Sequence, residues 1–427
     1  MAKEHLTMRY MAGFQCIGAA CEEHCCGKWR VAIDKDHYEK LKRAMSQTRA
    51  LREEFAAAHA RVDSAKRTPE CFAFMNLKEN GNCWMLDAEG LCASQRRFGA
   101  SILSNTCALY PRLFSEHANR VEMAGTLSCP EIARRALLHD DALDLVDFDP
   151  ATLSSGHTPN LQRIDPKNAY AGYLSDIRST VYELLSLPEY SVSVRLFFVS
   201  YFAAGTAEFF HKDVAAVDER RLGEAIRSLQ LPAQRTELKQ WYQERTVPDQ
   251  FVAKFIVELL KIRAGHNCLP TLKDLVSRAL ATYDGSDSDP GQPLPPPVVE
   301  QLTSAYNLRK AALVARFGGR IDRYFENYAK NYWMKEWYGR SRNLLVHNQD
   351  LLFRIAVQRF LLISLANIPP EVDEQEAIKL LDQEMVRVAY TFSRGIEHSR
   401  AFLSQLTQAL EAPEMEMLAH TVCLIKF

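Results

Sequence analysis

The chain has 427 residues, of which 47% are apolar and 25% charged. That is roughly two to three times the length of a typical domain and enough core material for more than one. Its 52 Lys and Arg residues balance 53 Asp and Glu to a net charge of -1, which excludes a chain whose overall field recruits nucleic acid or an anionic membrane.

The first ten residues hold no apolar signal core, and the strongest apolar run, residues 351–366, is broken by Arg354, Gln358 and Arg359. That run reads as a buried helix, so the expectation is a cytoplasmic protein with no transmembrane segment. The spacing predicts a mainly α fold: a cysteine-rich, metal- or cluster-binding N-terminal subdomain on an all-helical body. Its divisions are residues 1–135, a helical domain at 150–283, a Pro-rich linker at 284–297 and a C-terminal helical domain at 298–427.

Within residues 1–135, Trp29-Arg-Val-Ala-Ile33 alternates as a short strand would, and Asp34 follows as a helix N-cap. Tyr38, Leu41, Ala44 and Met45, then Leu51, Phe55 and Ala58, predict one long helix from 35 to about 62. Turn signals at residues 79–82 and 87–90 bracket Cys83-Trp-Met-Leu86. Further along, residues 169–187, 192–211, 216–229, 251–263 and 272–283 carry helical spacing of apolar residues. Residues 283–297 form a polar and then proline-rich break.

Nine of the eleven cysteines lie between Cys16 and Cys129, where even scatter would put about three. Their odd number and the absence of an export signal argue against a disulfide framework. Thiolate ligation is the better reading, with Cys16, Cys21, Cys25, Cys26, Cys83, Cys92, Cys107 and Cys129 as candidate ligands in one site or two. Cys71 is read as a packed thiol, as are the isolated Cys268 and Cys423. No cysteine pair has CxxC spacing, so the knuckles of an ordinary zinc ribbon are missing. Lys28 stands where a CxxxCxxC radical signature would need its third cysteine. Successive side chains diverge, so Cys25 and Cys26 are poorly placed to serve one metal. Spacing leaves structural zinc and a redox-capable iron–sulfur cluster both open.

Cys16-x4-Cys21-x3-Cys25-Cys26-Gly-Lys-Trp29 with Asp34, residues 83–92, and Thr106-Cys-Ala-Leu-Tyr-Pro-Arg112 resemble the flagellin lysine-N-methylase family. They also resemble a wider zinc- or iron-chelating group with a CxxxCxxCC-type motif. The stretch Tyr324-Phe-Glu-Asn-Tyr328 with Asn331-Tyr-Trp333 is similar to a helical segment of the methylase family. The resemblance implies methyl transfer from S-adenosylmethionine to lysine ε-amines of flagellin in the bacterial cytoplasm. It further implies a [4Fe–4S] cluster on the cysteines, with zinc as the alternative. Flagellin is then the protein partner; oligomeric state is not legible. The rival reading is a non-enzymatic metal-binding protein whose cysteines are structural and whose helices dock a partner.

No GxG, P-loop, HExxH or GxSxG occurs, so the doubly wound methyltransferase sheet is not expected. Phe317, Ile321, Tyr324, Tyr328 and Tyr332 share a helical stripe and read first as core. Asp322, Glu326 and nearby aromatic rings are too many to single out a base or a cation–π cage. His24 reads as a loop residue and Trp29 as a lid over the cysteine loop. Arg112 is a candidate to offset thiolate charge, and Arg96 and Arg97 either do likewise or face water.

Overall fold

The computed structural model describes residues 3–117, 119–152, 156–163, 172–207, 218–265, 268–283, 294–336, 343–399 and 417–427. These are mainly helical, with a minority of strand. The chain divides into two compact units, Met1–Ile132 with Asp144–Arg163 and Ala133–Leu143 with Ile164–Phe427.

The first unit runs β1 (Glu4–Met8), α1 (Arg9–Ala12), β2 (Ala32–Ile33), α2 (Lys35–Ala44), α3 (Arg49–Ala58), β3 (His59–Arg61) and β4 (Ala73–Met75). It continues with α4 (Ala93–Phe98), α5 (Asn105–Leu109), β5 (Arg112–His117) and β6 (Arg120–Gly125). Helix α6 (Pro130–Leu137) then leads out of this unit, and β7 (Leu145–Asp147) and β8 (Leu161–Arg163) complete it.

Five strands form one sheet in the order β7-β1-β6-β5-β8. β5 and β6 pair as an antiparallel hairpin with Phe114 opposite Met123, and β1 lies parallel to β6 with Leu6 opposite Glu122. A second sheet has the order β2-β4-β3, and Cys83 and Cys92 pack against the core to which it contributes Ile33, Ala73 and Met75.

The long helix expected over 35–62 is two helices and a strand. The Asp34 carboxylate accepts the His37 amide at 3.1 Å to start α2, and the Thr48 hydroxyl accepts the Leu51 amide at 3.2 Å to start α3. Each cap satisfies an amide that has no helical partner. Ser46 and Gln47 are the break between them, and His59–Arg61 then pairs with β4. The apolar stripe was nonetheless a true core signal: Tyr38, Leu41, Met45, Phe55 and Ala58 pack together with Val31, Ile33, Ala73, Met75 and Met85. The strand expected from Trp29 begins only at Ala32. Lys28 before it turns with φ +65, a conformation uncommon for a residue with a Cβ.

The second unit holds α7 (Leu174–Leu185), α8 (Val192–Thr206), α9 (Glu219–Gln230), α10 (Pro232–Glu244), α11 (Asp249–Gly265) and α12 (Pro270–Leu280). α13 (Pro296–Lys335), α14 (Leu344–Leu365), α15 (Glu374–Phe392) and α16 (Met417–Lys426) follow. Helices before and after residues 284–297 thus belong to one unit. Residues 284–293 of that segment lie outside the described residues, as do 208–211 at the end of the helix expected over 192–211. Pro296 and Pro297 form the first turn of α13, where their missing amides and fixed φ cost nothing. α13 kinks at Phe317 (φ -125, ψ 18), next to Gly318 and Gly319. Beyond the kink Tyr324, Tyr328 and Tyr332 are buried, as the core reading of that stripe requires.

α14 is buried on every residue but Asp350. Its polar side chains find partners inside. Arg354 pairs with Asp350 at 2.8 Å and Glu397 at 3.2 Å, Gln358 donates to the Arg354 carbonyl at 3.2 Å, and Arg359 donates to the Ile425 carbonyl at 2.6 Å. Among the described residues, no helix is long and apolar enough to cross a membrane.

Candidate functional site

Short ladders and turns in the first unit gather the cysteine loops. The Cys83 amide donates to the Cys26 carbonyl at 2.8 Å, the Lys28 amide to the Gly81 carbonyl at 2.6 Å, and Gly27 bridges Asn82. Gly81 turns with φ +81, a conformation that glycine adopts without a Cβ penalty. The two strings of cysteines are therefore zipped side by side.

A second bridge, Leu86 to Cys92, closes the turn at 87–90. There the Asp87 carboxylate accepts the amides of Glu89 at 3.0 Å and Leu91 at 2.9 Å, and Arg96 holds both Asp87 and Glu89. Cys83 and Cys92 rest against the apolar core of the unit. Cys107 sits in α5, which Ser104 caps by accepting the Cys107 amide at 3.2 Å. Asp34 also accepts the Asn105 amide at 3.2 Å, tying the start of α5 to the start of α2. Cys129 is buried immediately before α6.

Electrostatics show which thiols are neighbours. The Cys26 thiol is pushed up first by its hydrogen bond with Cys25, then by burial, and then by the charges of Cys25, Cys107 and Cys92. Cys107 has an exposed edge, yet the packing around its sulfur desolvates it and lifts it to about 12; the Ser104 hydroxyl opposes this, while Cys92, Cys83 and Cys25 add to it. Burial raises Cys83, with Cys92 adding and Lys78 opposing. Burial also lifts Cys129 to about 12, with Cys21 and Cys25 adding. One group therefore comprises Cys26, Cys83, Cys92 and Cys107, and another Cys21 and Cys129, with Cys25 a neighbour of both. Cys16 lies within electrostatic reach of Arg112, whose pKa burial lowers and Cys16 raises.

All eight predicted ligands thus lie in one unit, most on loops and Cys107 in the short α5. Among the described residues, however, no three His, Cys, Asp or Glu side chains are arranged to hold a metal ion. The donor set fits a thiophilic metal or cluster in kind, because thiolates this close repel one another and a bound cation would remove that penalty. Cys71 instead closes a turn with Thr68, its amide donating to the Thr68 hydroxyl at 3.1 Å.

Trp29 donates its indole N–H to the Cys25 carbonyl at 2.7 Å, and its ring lies 6.1 Å from that of Tyr110. It covers the loop while remaining partly exposed. His24 is half-buried rather than an open loop residue, and Cys268 and Cys423 are likewise half-buried. Arg96 and Arg97 are exposed and also paired: Arg96 is held by Asp87 and Glu89, Arg97 forks onto Glu54 at 2.8 and 2.5 Å, and the Cys92 charge acts on Arg97.

In the second unit, the residues of the 320–338 segment have structural partners. Asp322 accepts the Val192 amide at 3.0 Å, Glu326 pairs with Arg195 and Lys330 at 2.6 Å each, and Asn327 donates to the His139 carbonyl at 2.8 Å. Tyr324 and Arg320 both engage Asp382. Tyr338 lies outside the described residues.

Sequence reasoning missed the buried network beside them. Glu397 accepts from Tyr328 and Ser393 at 2.6 Å each and faces Lys335 and Arg354 at 3.2 Å each. Burial alone would raise Glu397, but Lys335, Arg354, Ser393 and Tyr328 together hold it well below the usual carboxylate range. Ser393–Glu397 forms a π-helical turn, a geometry seen often at functional sites. No spacing rule links residues 335, 354 and 397. The only clue was charged and amide side chains, Asp350, Arg354, Gln358 and Arg359, within the long apolar run of α14.

The geometry defines a class: an α-rich protein whose smaller α/β unit concentrates thiols on adjoining loops. Residues 178–424 match the FliB lysine N-methylase C-terminal domain, and the chain belongs to that family. It is 33% identical over 137 residues to a lysine-N-methylase of Salmonella choleraesuis, covering 32% of this chain and 33% of that protein. The lysine-N-methylase of Salmonella typhimurium is 32% identical over the same shares. A flagellar biosynthetic protein FliU of Salmonella muenchen is 32% identical over 137 residues and 78% of its length. The chain therefore spans about a third of the length of the two methylases it matches. No solved structure matches it.

Proposed function

We propose that the chain is a protein-lysine N-methyltransferase that moves methyl groups from S-adenosylmethionine to lysine ε-amines of flagellin. It would depend on a [4Fe–4S] cluster held by thiolates drawn from the eight cysteines, and would act in the bacterial cytoplasm before export. The family match over residues 178–424 carries this reading, and the concentration of eight thiols in one unit supports the cofactor. A [4Fe–4S] cluster supplies one-electron chemistry or an open iron.

The chain's own residues supply the setting. Cys26, Cys83, Cys92 and Cys107 form one candidate ligand group, and Arg112 beside Cys16 offsets negative charge. The indole of Trp29 fixes the Cys25 main chain through its carbonyl. Methyl transfer to an amine needs a neutral nitrogen, because the ammonium has no lone pair. In such a transfer the N–C bond would form as the S–C bond of the sulfonium broke, S-adenosylhomocysteine would leave, and the methylated ammonium would give its proton to solvent.

The test is the metal content and optical spectrum of anaerobically purified protein, followed by incubation with methyl-labelled S-adenosylmethionine and flagellin. The reading expects about four irons and four sulfides per chain, a broad visible band that bleaches in Cys92→Ala and Cys107→Ala, and label recovered in lysine. Colourless protein with one or two zinc ions would favour the structural-metal alternative. Iron-loaded protein that leaves no label in flagellin lysine under reducing conditions would overturn the proposed substrate.

A further inference from the structure

A cavity of about 520 Å³ opens in the second unit between the start of α8, the end of α10 and the loop before α11, the middle of α13, the last turns of α14 and the end of α16. Its volume lies in the range of small-molecule pockets. Val192, Val247, Ile321 and Ile363 give it apolar walls, and Lys310, Arg359 and Lys426 bring three cations to it.

None of these cations forms an ion pair among the described residues. Each is held by main-chain carbonyls and ring faces instead. Arg359 is 5% exposed, donates to the Ile425 carbonyl at 2.6 Å and lies 5.3 Å over Phe325. Lys310 donates to the Lys426 carbonyl. Lys426 donates to the carbonyls of Gln243 and Arg245 and lies 4.8 Å over the Tyr242 ring.

Two carboxylates also line the space, each already engaged: Asp249 with the Asn307 amide group at 3.0 Å and Asp322 with the Val192 amide at 3.0 Å. The first turn of the 15-residue α8 meets the cavity, and its N-cap Ser191 makes no side-chain capping bond. A helix start adds positive potential to that of the three cations. Burial, with the nearby Arg359 charge, pulls Lys310 down to about 8 against the opposing charge of Asp249. That is the cost of a buried ammonium without a contacting counter-ion.

We propose that this cavity binds a small organic molecule through its carboxylate or phosphate group, which pairs with Lys310, Arg359 and Lys426 while the apolar walls hold its body. The proposal concerns binding in the helical unit and is independent of the methyl-transfer reading.

Titration calorimetry on the full chain would use phenyl phosphate and benzoate, with phenol as the uncharged probe of the same body. The expected result is a Kd below about 1 mM for at least one anion, at least tenfold weaker binding of phenol, and loss of anion affinity as salt rises. Lys310→Met and Lys426→Met, checked for an unchanged melting temperature, should each weaken the anion at least tenfold. Lys426→Met guards against a folding defect at the more buried Lys310. Preference for phenyl phosphate would identify a phosphate site and preference for benzoate a carboxylate site. Equal binding of phenol, no binding of either anion up to 10 mM, or unchanged affinity in both folded variants would overturn the proposal.

Discussion

Replacing Glu397 with Gln keeps the shape of the side chain and removes its charge. Lys335 and Arg354 would then face an amide, leaving Asp350 as the closest remaining carboxylate of Arg354 and the half-exposed Glu336 as that of Lys335. The side chains of Lys335, Arg354 and Glu397 are only 6%, 5% and 4% exposed, so water screens little of the imbalance. Breaking a buried pair from one side costs about 3–5 kcal/mol, a large fraction of the ~5–15 kcal/mol that typically separates folded from unfolded protein. With a urea m-value near 3 kcal/mol/M, the unfolding midpoint followed by circular dichroism should fall by about 1 M or more. The double variant Glu397→Gln with Lys335→Met removes one charge of each sign and should recover at least half of that loss. A single variant within about 0.3 M of the parent, or a double variant less stable than the single, would refute the assignment of Glu397 as the anion that neutralises this cluster.

Burial pushes His347 down to about 3, so the folded chain keeps it neutral while the unfolded chain protonates it near 6.5. Its contribution is intact above pH 6.5 and is lost as pH falls toward 3, at up to about 1.4 kcal/mol per pH unit. His347→Phe should flatten the dependence of the urea midpoint between pH 6.5 and 4.5. Thr48→Ala should cost about 1 kcal/mol by uncapping α3, measured as a lower melting temperature. Thr48→Asp, which keeps an acceptor, should not. Cys71→Ala should retain the full metal complement of the parent while Cys107→Ala loses it; equal loss in both would remove the distinction drawn between them.

The sequence displayed its helices more clearly than its sheets. Period-3.6 spacing located α8, α9, α11 and α12 because each buries one stripe or nearly all of its surface. α10 went unread because few of its residues are apolar, with only Leu238 and Tyr242 fully buried. The five-stranded sheet was hidden because β1 finds both its neighbours more than a hundred residues away, as with Glu4 and Arg120, and its strands are three to six residues long. The break between α2 and α3 was present in Thr48, a residue that caps better than it propagates. The cysteine crowding was legible by count and spacing. Its division around Cys25 was not, since that depends on which loops the Gly27 bridge and the 87–90 turn bring together. For the same reason the Glu397 cluster left no pattern: its members come from three helical segments at unrelated intervals.

The enclosure of α14 also sets a timescale. Its peptide N–H groups are shielded on all sides, so they exchange with deuterium only when the whole unit opens, and their protection reports global stability. The segments carrying Cys83, Cys92 and Cys107 are held by short bridges, turns and caps rather than by a long helix, and these can open locally without disturbing α14. Deuterium uptake in the same sample should therefore separate the two. Loading the thiol loops with metal should slow exchange near residues 83–107 and leave α14 at its own, much slower pace.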